Sequence, residues 1–288
     1  MRERALVWRR VGRGLLVIGF GVFLLLNTTG FLPWSFWRDL LPFWPVILVA
    51  IGLRLVFERG PVPAAVLLSP LLILATMSWV AISGPAYVGW RGRTVPVRAE
   101  RPDDIQRWTL EGSVTYGSLD LAGRVLDPSM LVEGRARAAR HRPELRTSGG
   151  RGAARVRFRT RSERTFILFW SPWTRWDLDV AEDLPVTLDL DLALSDVRLD
   201  LDRVPLSTFE TEAVFSDLDL TLGRPDREVY LSLKGAFTSY ELTVPSGVPV
   251  RVENDGAFNL VDGRRSGRTP GYRIRLDGAF NKVRVRNR

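Results

Sequence analysis

The residues with the most evident capacity for chemistry lie in the second half of the chain, in three groups. Arg155, Arg157 and Arg159 alternate with Val156 and Phe158 inside a stretch, 133–165, that holds eleven arginines against three acids. Such a run invites a nucleic-acid reading, but the alternation is that of a strand with a basic, solvated outer face, and no nucleic acid is expected as partner. Attraction to anionic lipid heads or to anionic envelope polymers is the intermediate reading. Trp170, Trp173 and Trp176 follow Phe166, Ile167, Leu168 and Phe169 in the most aromatic stretch outside the N-terminal region. Such a cluster serves as a core strand with a Trp-rich turn, as a rest on a bilayer, or as a ligand platform. The core reading is preferred, and the cluster is kept with the arginines as a candidate interaction patch. From Asp177 to Glu228 the sign reverses to fifteen acids against four arginines. Paired carboxylates such as Asp189 and Asp191, or Asp200 and Asp202, suit calcium binding or acid/base work. Here, with Asp219, they fall mainly on the polar half of a β alternation, without the glycine-rich loops of calcium-binding repeats. A solvated face is the simpler account.

Composition narrows the chemistry further. The chain has no cysteine and one histidine, His141, so disulfides, cysteine-based metal or redox sites and multi-histidine sites are excluded. No catalytic residue, cofactor or metal is expected. The net charge of +9 comes almost wholly from arginine, Lys234 and Lys282 being the only lysines.

The elements that position these groups repeat. Gly235-Ala236-Phe237, Gly256-Ala257-Phe258 and Gly278-Ala279-Phe280 recur at steps of 21 and 22 residues, with weaker copies at Ala213-Val214-Phe215 and Leu192-Ala193-Leu194. After each anchor, apolar residues resume three positions on and alternate: Leu218, Leu220 and Leu222 after Phe215; Tyr240, Leu242 and Val244 after Phe237. Before the anchor, Phe209, Leu231, Val252 and Ile274 occupy one equivalent slot. Period-two alternation means strands with one buried face, and two short strands per unit imply stacked units sharing one core. The expectation is an all-β, solenoid-like array over 108–288. Phe215, Phe237, Phe258 and Phe280 form its structural core, and Gly235, Gly256 and Gly278 its corners. Replacing Phe237 or Phe258 by Asp should then unfold the domain.

The first ninety residues are apolar. After Arg2, Arg4, Arg9, Arg10 and Arg13, charge-free runs cover Gly14–Leu26, Leu40–Leu53 and Pro61–Trp90. About 20 apolar residues span a bilayer, and Trp34, Trp37 and Trp44 suit its interfaces. This predicts an α-helical transmembrane region of about three helices over 1–90, a charged connector over 91–107, and retention rather than signal cleavage. Arginine placement puts the N-terminus inside and the β domain outside the cell membrane. Asn27-Thr28-Thr29 fits a glycosylation acceptor pattern but is discounted at a membrane boundary.

Gly14 to Gly21, Leu24-Leu25-Leu26-Asn27, Leu32-Pro33-Trp34, and Phe43-Trp44-Pro45 followed by Ile51-Gly52-Leu53 resemble the LiaI/LiaF-like transmembrane region of bacterial envelope proteins. The run from Leu188 to Val197 resembles the toastrack β-repeat domain often fused to it. The three apolar runs make a multi-pass topology the expectation, and the resemblance implies a non-enzymatic membrane protein of the envelope stress response. Its expected partners are the lipid bilayer and a sensor kinase or another envelope protein, with self-assembly as a further option. Two rival classes remain: a membrane-tethered carbohydrate-binding module or adhesin, and a β-helical polysaccharide lyase or hydrolase, which would need Asp189, Asp200 and an arginine in one pocket.

Overall fold

The computed structural model describes residues 2–29, 31–32, 36, 40, 43–58, 67–83, 93–138, 142–150, 152–161, 174–263 and 270–288. The chain forms two compact units, one helical and one β.

Among the described residues the helical unit holds α1 (Arg2–Thr28), α2 (Trp44–Glu58) and α3 (Leu68–Ser83), in line with the expectation of about three helices. Gly19 lets α1 approach α3: a Cβ there would stand 2.3 Å from Leu74 Cδ2. Phe23, Leu32, Phe36, Met77 and Val80 form the small core, with the Phe23 and Phe36 rings stacked at 5.5 Å. Asn27 is buried and its Nδ2 donates to Leu32 O at 2.8 Å, which engages the amide that glycosylation would need. Many of the described outward-facing side chains are apolar, among them Val17, Ile18, Leu55, Val56 and Ile82. An apolar outer surface of this kind suits a lipid environment. Among the described residues three full spans are nonetheless not seen. Helices of 15 and 16 residues in α2 and α3 reach about 22–24 Å at 1.5 Å per residue, against a hydrocarbon core of about 30 Å. The charge-free part of α1 begins only at Gly14. Among the described residues no helix is long and apolar enough to cross a membrane.

The β unit contains β1 (Arg93–Glu100), β2 (Ile105–Arg124), β3 (Met130–Ala138), β4 (Arg142–Gly150), β5 (Gly152–Arg161), β6 (Thr174–Ala181), β7 (Val186–Leu201), β8 (Leu206–Val214), β9 (Asp217–Leu222), β10 (Val229–Ala236), β11 (Ser239–Val244), β12 (Val250–Asn254), β13 (Leu260–Asp262), β14 (Tyr272–Ala279) and β15 (Lys282–Asn287). Pairing arranges them in two rows. One runs β4-β5-β2-β7-β8-β10-β14-β12, the other β1-β3-β6-β2-β7-β9-β11-β15-β13. The long strands β2 and β7 pass through both. All pairs are parallel except β1–β3, β3–β6 and β4–β5. Each later repeat is therefore a rung: a strand in the first row, a corner, and a strand in the second.

The registers follow the sequence frame. Leu188, Phe209, Leu231, Ile274 and Val252 lie side by side across the first row, and all are buried in one continuous core with the alternating residues of the second row. Two expectations need correction. Residues 91–107 are not merely a connector. Val97 and Ala99 alternate into the core, so β1 forms at Arg93 and pairs with β3, and β2 starts at Ile105. Nor do the rungs stack in chain order, as a simple solenoid would require. The rung β14–β15 lies between β10–β11 and β12–β13.

Candidate functional site

The site is built at the corners. Tyr116, Leu194, Phe215, Phe237, Phe258 and Phe280 all have φ between +49° and +60°, a left-handed conformation that costs a non-glycine residue about 1–2 kcal/mol. The turn it makes throws the anchor side chain outward. The phenylalanines expected in the core are therefore on the surface: Phe258 is 78% exposed, Phe280 is 42% exposed, and Phe215 and Phe237 are half-buried. Successive rings stack in the order Phe215, Phe237, Phe280, Phe258, with centroids 4.9, 5.0 and 5.1 Å apart and planes within 8°. The inter-strand spacing of about 4.8 Å sets this pitch. The preceding glycines are required by crowding. A Cβ on Gly235 would come within 2.3 Å of Ala213 O, one on Gly256 within 1.9 Å of Gly278 O, and one on Gly278 within 1.8 Å of Gly235 O.

Beneath the rings runs a second ladder, of polar groups, that the sequence reading missed. From Leu194 onward the residue after each anchor is polar: Ser195, Ser216, Thr238, Asn259 and Asn281, all but Asn259 fully buried. Ser195 N donates to Ser216 Oγ at 3.2 Å, Thr238 N to Asn281 Oδ1 at 3.2 Å, and Asn281 N to Asn259 Oδ1 at 2.9 Å. Ser195 Oγ donates to Val114 O, Thr238 Oγ1 to Ala213 O, and Asn281 Nδ2 to Gly235 O. These bonds satisfy corner groups that the turn removes from the strand ladder. They also follow the stacking order of the rungs. A polar residue recurring at the 21–22 step inside an apolar frame was the available signal.

The charged groups occupy the outer faces. Arg155 Nε lies 2.8 Å from Glu111 Oε1 and Arg157 Nε 2.8 Å from Glu111 Oε2; Arg159 faces Glu144 at 3.7 Å. The basic strand is thus partly neutralised by its neighbours. Next to it, Glu111, Asp189 and Glu210 are in register on adjacent strands, as are Asp191 and Glu212. Burial, and then the Asp191, Glu210 and Glu111 carboxylates, raise the Asp189 carboxyl above its usual range. Asp200 lies instead on the second row, in a groove of about 680 Å³ with Asp120, Asp179, Arg98 and Arg198. The structure does not bring Asp189 and Asp200 together. Among the described residues, no group of three or more acidic, histidine or cysteine side chains is placed to hold a metal ion. Trp176 is fully buried against Phe158, with ring centroids 5.1 Å apart, so it belongs to the core. Trp170 and Trp173 lie outside the described residues.

An apolar-faced helical unit joined in sequence to a two-row, largely parallel β array defines a membrane-associated β-repeat protein. The comparisons specify the class. Residues 14–56 match the LiaI-LiaF-like transmembrane region and residues 94–235 the N-terminal domain of toast_rack, so the chain joins these two modules in that order. No curated protein sequence matches it. In solved structures it is similar to a "putative cell adhesion protein" of Clostridium sporogenes, at 12% identity and a TM-score of 0.59, covering 69% of this chain and all of that one. This is a likeness of fold. A "putative adhesin" of Bacteroides fragilis matches at 8% identity and a TM-score of 0.26, over 67% of this chain and 97% of that one.

Proposed function

We propose that this protein is a non-enzymatic, membrane-anchored component of the bacterial cell envelope, a stress-response sensor, regulator or assembly scaffold that acts through its β array. The array is held outside the cytoplasmic membrane, and it engages another envelope protein, such as a sensor kinase, rather than a small substrate. The observation that carries this reading is the outward-facing phenylalanine ladder at strained corners, ending at Phe258 in the corner between β12 and β13. Large aromatic groups held in water at a backbone cost suit contact with a partner. The absence of cysteine provides a clean test. Ser246, exposed in the turn after β11, is changed to Cys, and spheroplasts are treated with a membrane-impermeant maleimide before and after lysis. Labelling of intact spheroplasts is expected; labelling only after lysis places the array in the cytoplasm and overturns the proposal.

A further inference from the structure

The stack of rungs has two unlike ends. At one end the outermost strands are β4 in the first row and β1 in the second, and each contains a proline, Pro143 and Pro96. Proline has no N–H to offer a further strand, a common way of blunting an edge. At the other end, among the described residues, β12 pairs only with β14 and β13 only with β15, and neither contains proline. Phe258 (78%) and Leu260 (57%), two of the more exposed large apolar side chains of the β unit, are at this same end.

The hydrogen-bond phase of β12 is set by its flanks. Pro249 O accepts from Tyr272 N at 2.9 Å, and Asp255 N donates to Leu276 O at 2.9 Å. In a parallel pair each residue directs its N–H and C=O to the same side, and alternate residues take alternate sides. Arg251 and Glu253 thus face β14, whereas Val250, Val252 and Asn254 turn their backbone groups to the open side. The side chains alternate in the other sense: Val250 and Val252 are buried, Arg251 and Glu253 exposed. Arg251 has no ion-pair partner among the described residues, and Glu253 has only Arg273 at 3.7 Å.

We infer that this edge is a self-association surface, occupied by the same edge of a second copy paired antiparallel about a two-fold axis at Val252. Charge selects the register. Centred on Val252, the pairing sets each Arg251 opposite the second copy's Glu253, at the non-hydrogen-bonded positions where facing side chains are closest. Val252 then meets its own counterpart, and Val250 meets Asn254, so every backbone group turned to the open side gains a partner. Centring on Arg251 would oppose two guanidiniums, and centring on Glu253 two carboxylates. Because the far edges are blunted by proline, the pairing closes at two copies rather than growing into a filament. The inference rests on reading the array as an interaction domain, and it names the partner at one of its edges.

The test is a charge-swap series on the full chain in detergent micelles, with protein mass read by light scattering and fold checked by circular dichroism. The unaltered chain should run at twice its 32.5 kDa mass. Arg251→Glu and Glu253→Arg, each of which opposes like charges, should run as folded single chains, and the combined Arg251→Glu/Glu253→Arg chain should return to the doubled mass. A single-chain mass for the unaltered protein overturns the inference. So does a doubled mass that the single changes leave intact, or a combined variant that stays single. Maleimide labelling at position 246 is read separately, so failure of the envelope placement and failure of the dimer are distinguishable.

Discussion

Position in the ladder, more than size, decides what each corner phenylalanine contributes. Phe237 stacks on both sides, against Phe215 and Phe280, whereas Phe258 has a stacked ring on one side only and is largely in water. An aromatic pair contributes about 0.5–1.5 kcal/mol beyond its buried area. Phe237→Ala should therefore cost about 2 kcal/mol in denaturant unfolding. Phe258→Gly loses one stack but relieves the left-handed backbone, by about 1 kcal/mol, and should stay within about 0.5 kcal/mol of neutral. The expectation that an acidic residue at either position unfolds the domain is thereby confined to the middle of the ladder. The misreading has a physical source. Apolar residues at a fixed period indicate a shared environment, but the hand of the backbone at that residue decides whether the environment is core or surface. Nothing in Gly-Ala-Phe declares a positive φ for the bulky residue.

At the scale of elements the alternation was a better guide. Phe209, Leu231, Val252 and Ile274 were assignable to one slot because a single buried face forces strict period two, and the registers place them side by side. Strand β1 escaped because Arg93, Pro96, Arg98 and Glu100 obscure the two buried positions between them. The outer faces follow the same alternation and carry a cost. Glu111, Asp189 and Glu210 stand in register, and like charges directly opposite are unfavourable by about 0.2–1 kcal/mol. Because the Asp189 carboxyl is raised in the folded state, folding favours its protonated form. Its contribution to stability is present at acid pH and lost as the pH rises through that raised value. Asp189→Asn should accordingly stabilise the β domain by about 0.5 kcal/mol at pH 7, and the gain should vanish as the pH falls below the carboxylate range. Thermal unfolding of the two chains across that range checks both the sign and the window.

For the whole molecule, the two-module plan was legible from composition alone, since charge-free runs and period-two runs occupy separate parts of the chain. The order of the rungs was not, because parallel neighbours are chosen by contacts remote in sequence. Asn281 illustrates this. It bonds Thr238 on one side and Asn259 on the other, a pair of contacts no local pattern announces. That insertion makes the rung β14–β15 a keystone. The rung β12–β13 is synthesised before the one that must separate it from β10–β11, so the array cannot be finished by winding on units as they are made. A chain stopped after Gly263 should lose two rungs rather than one, with β12 and β13 cut early in limited proteolysis while β2 and β7 stay protected. Only a chain with β14–β15 seated between its neighbours presents the β12–β13 edge and the full aromatic ladder, so the surface offered to partners doubles as a report that the rungs have been set in their proper order.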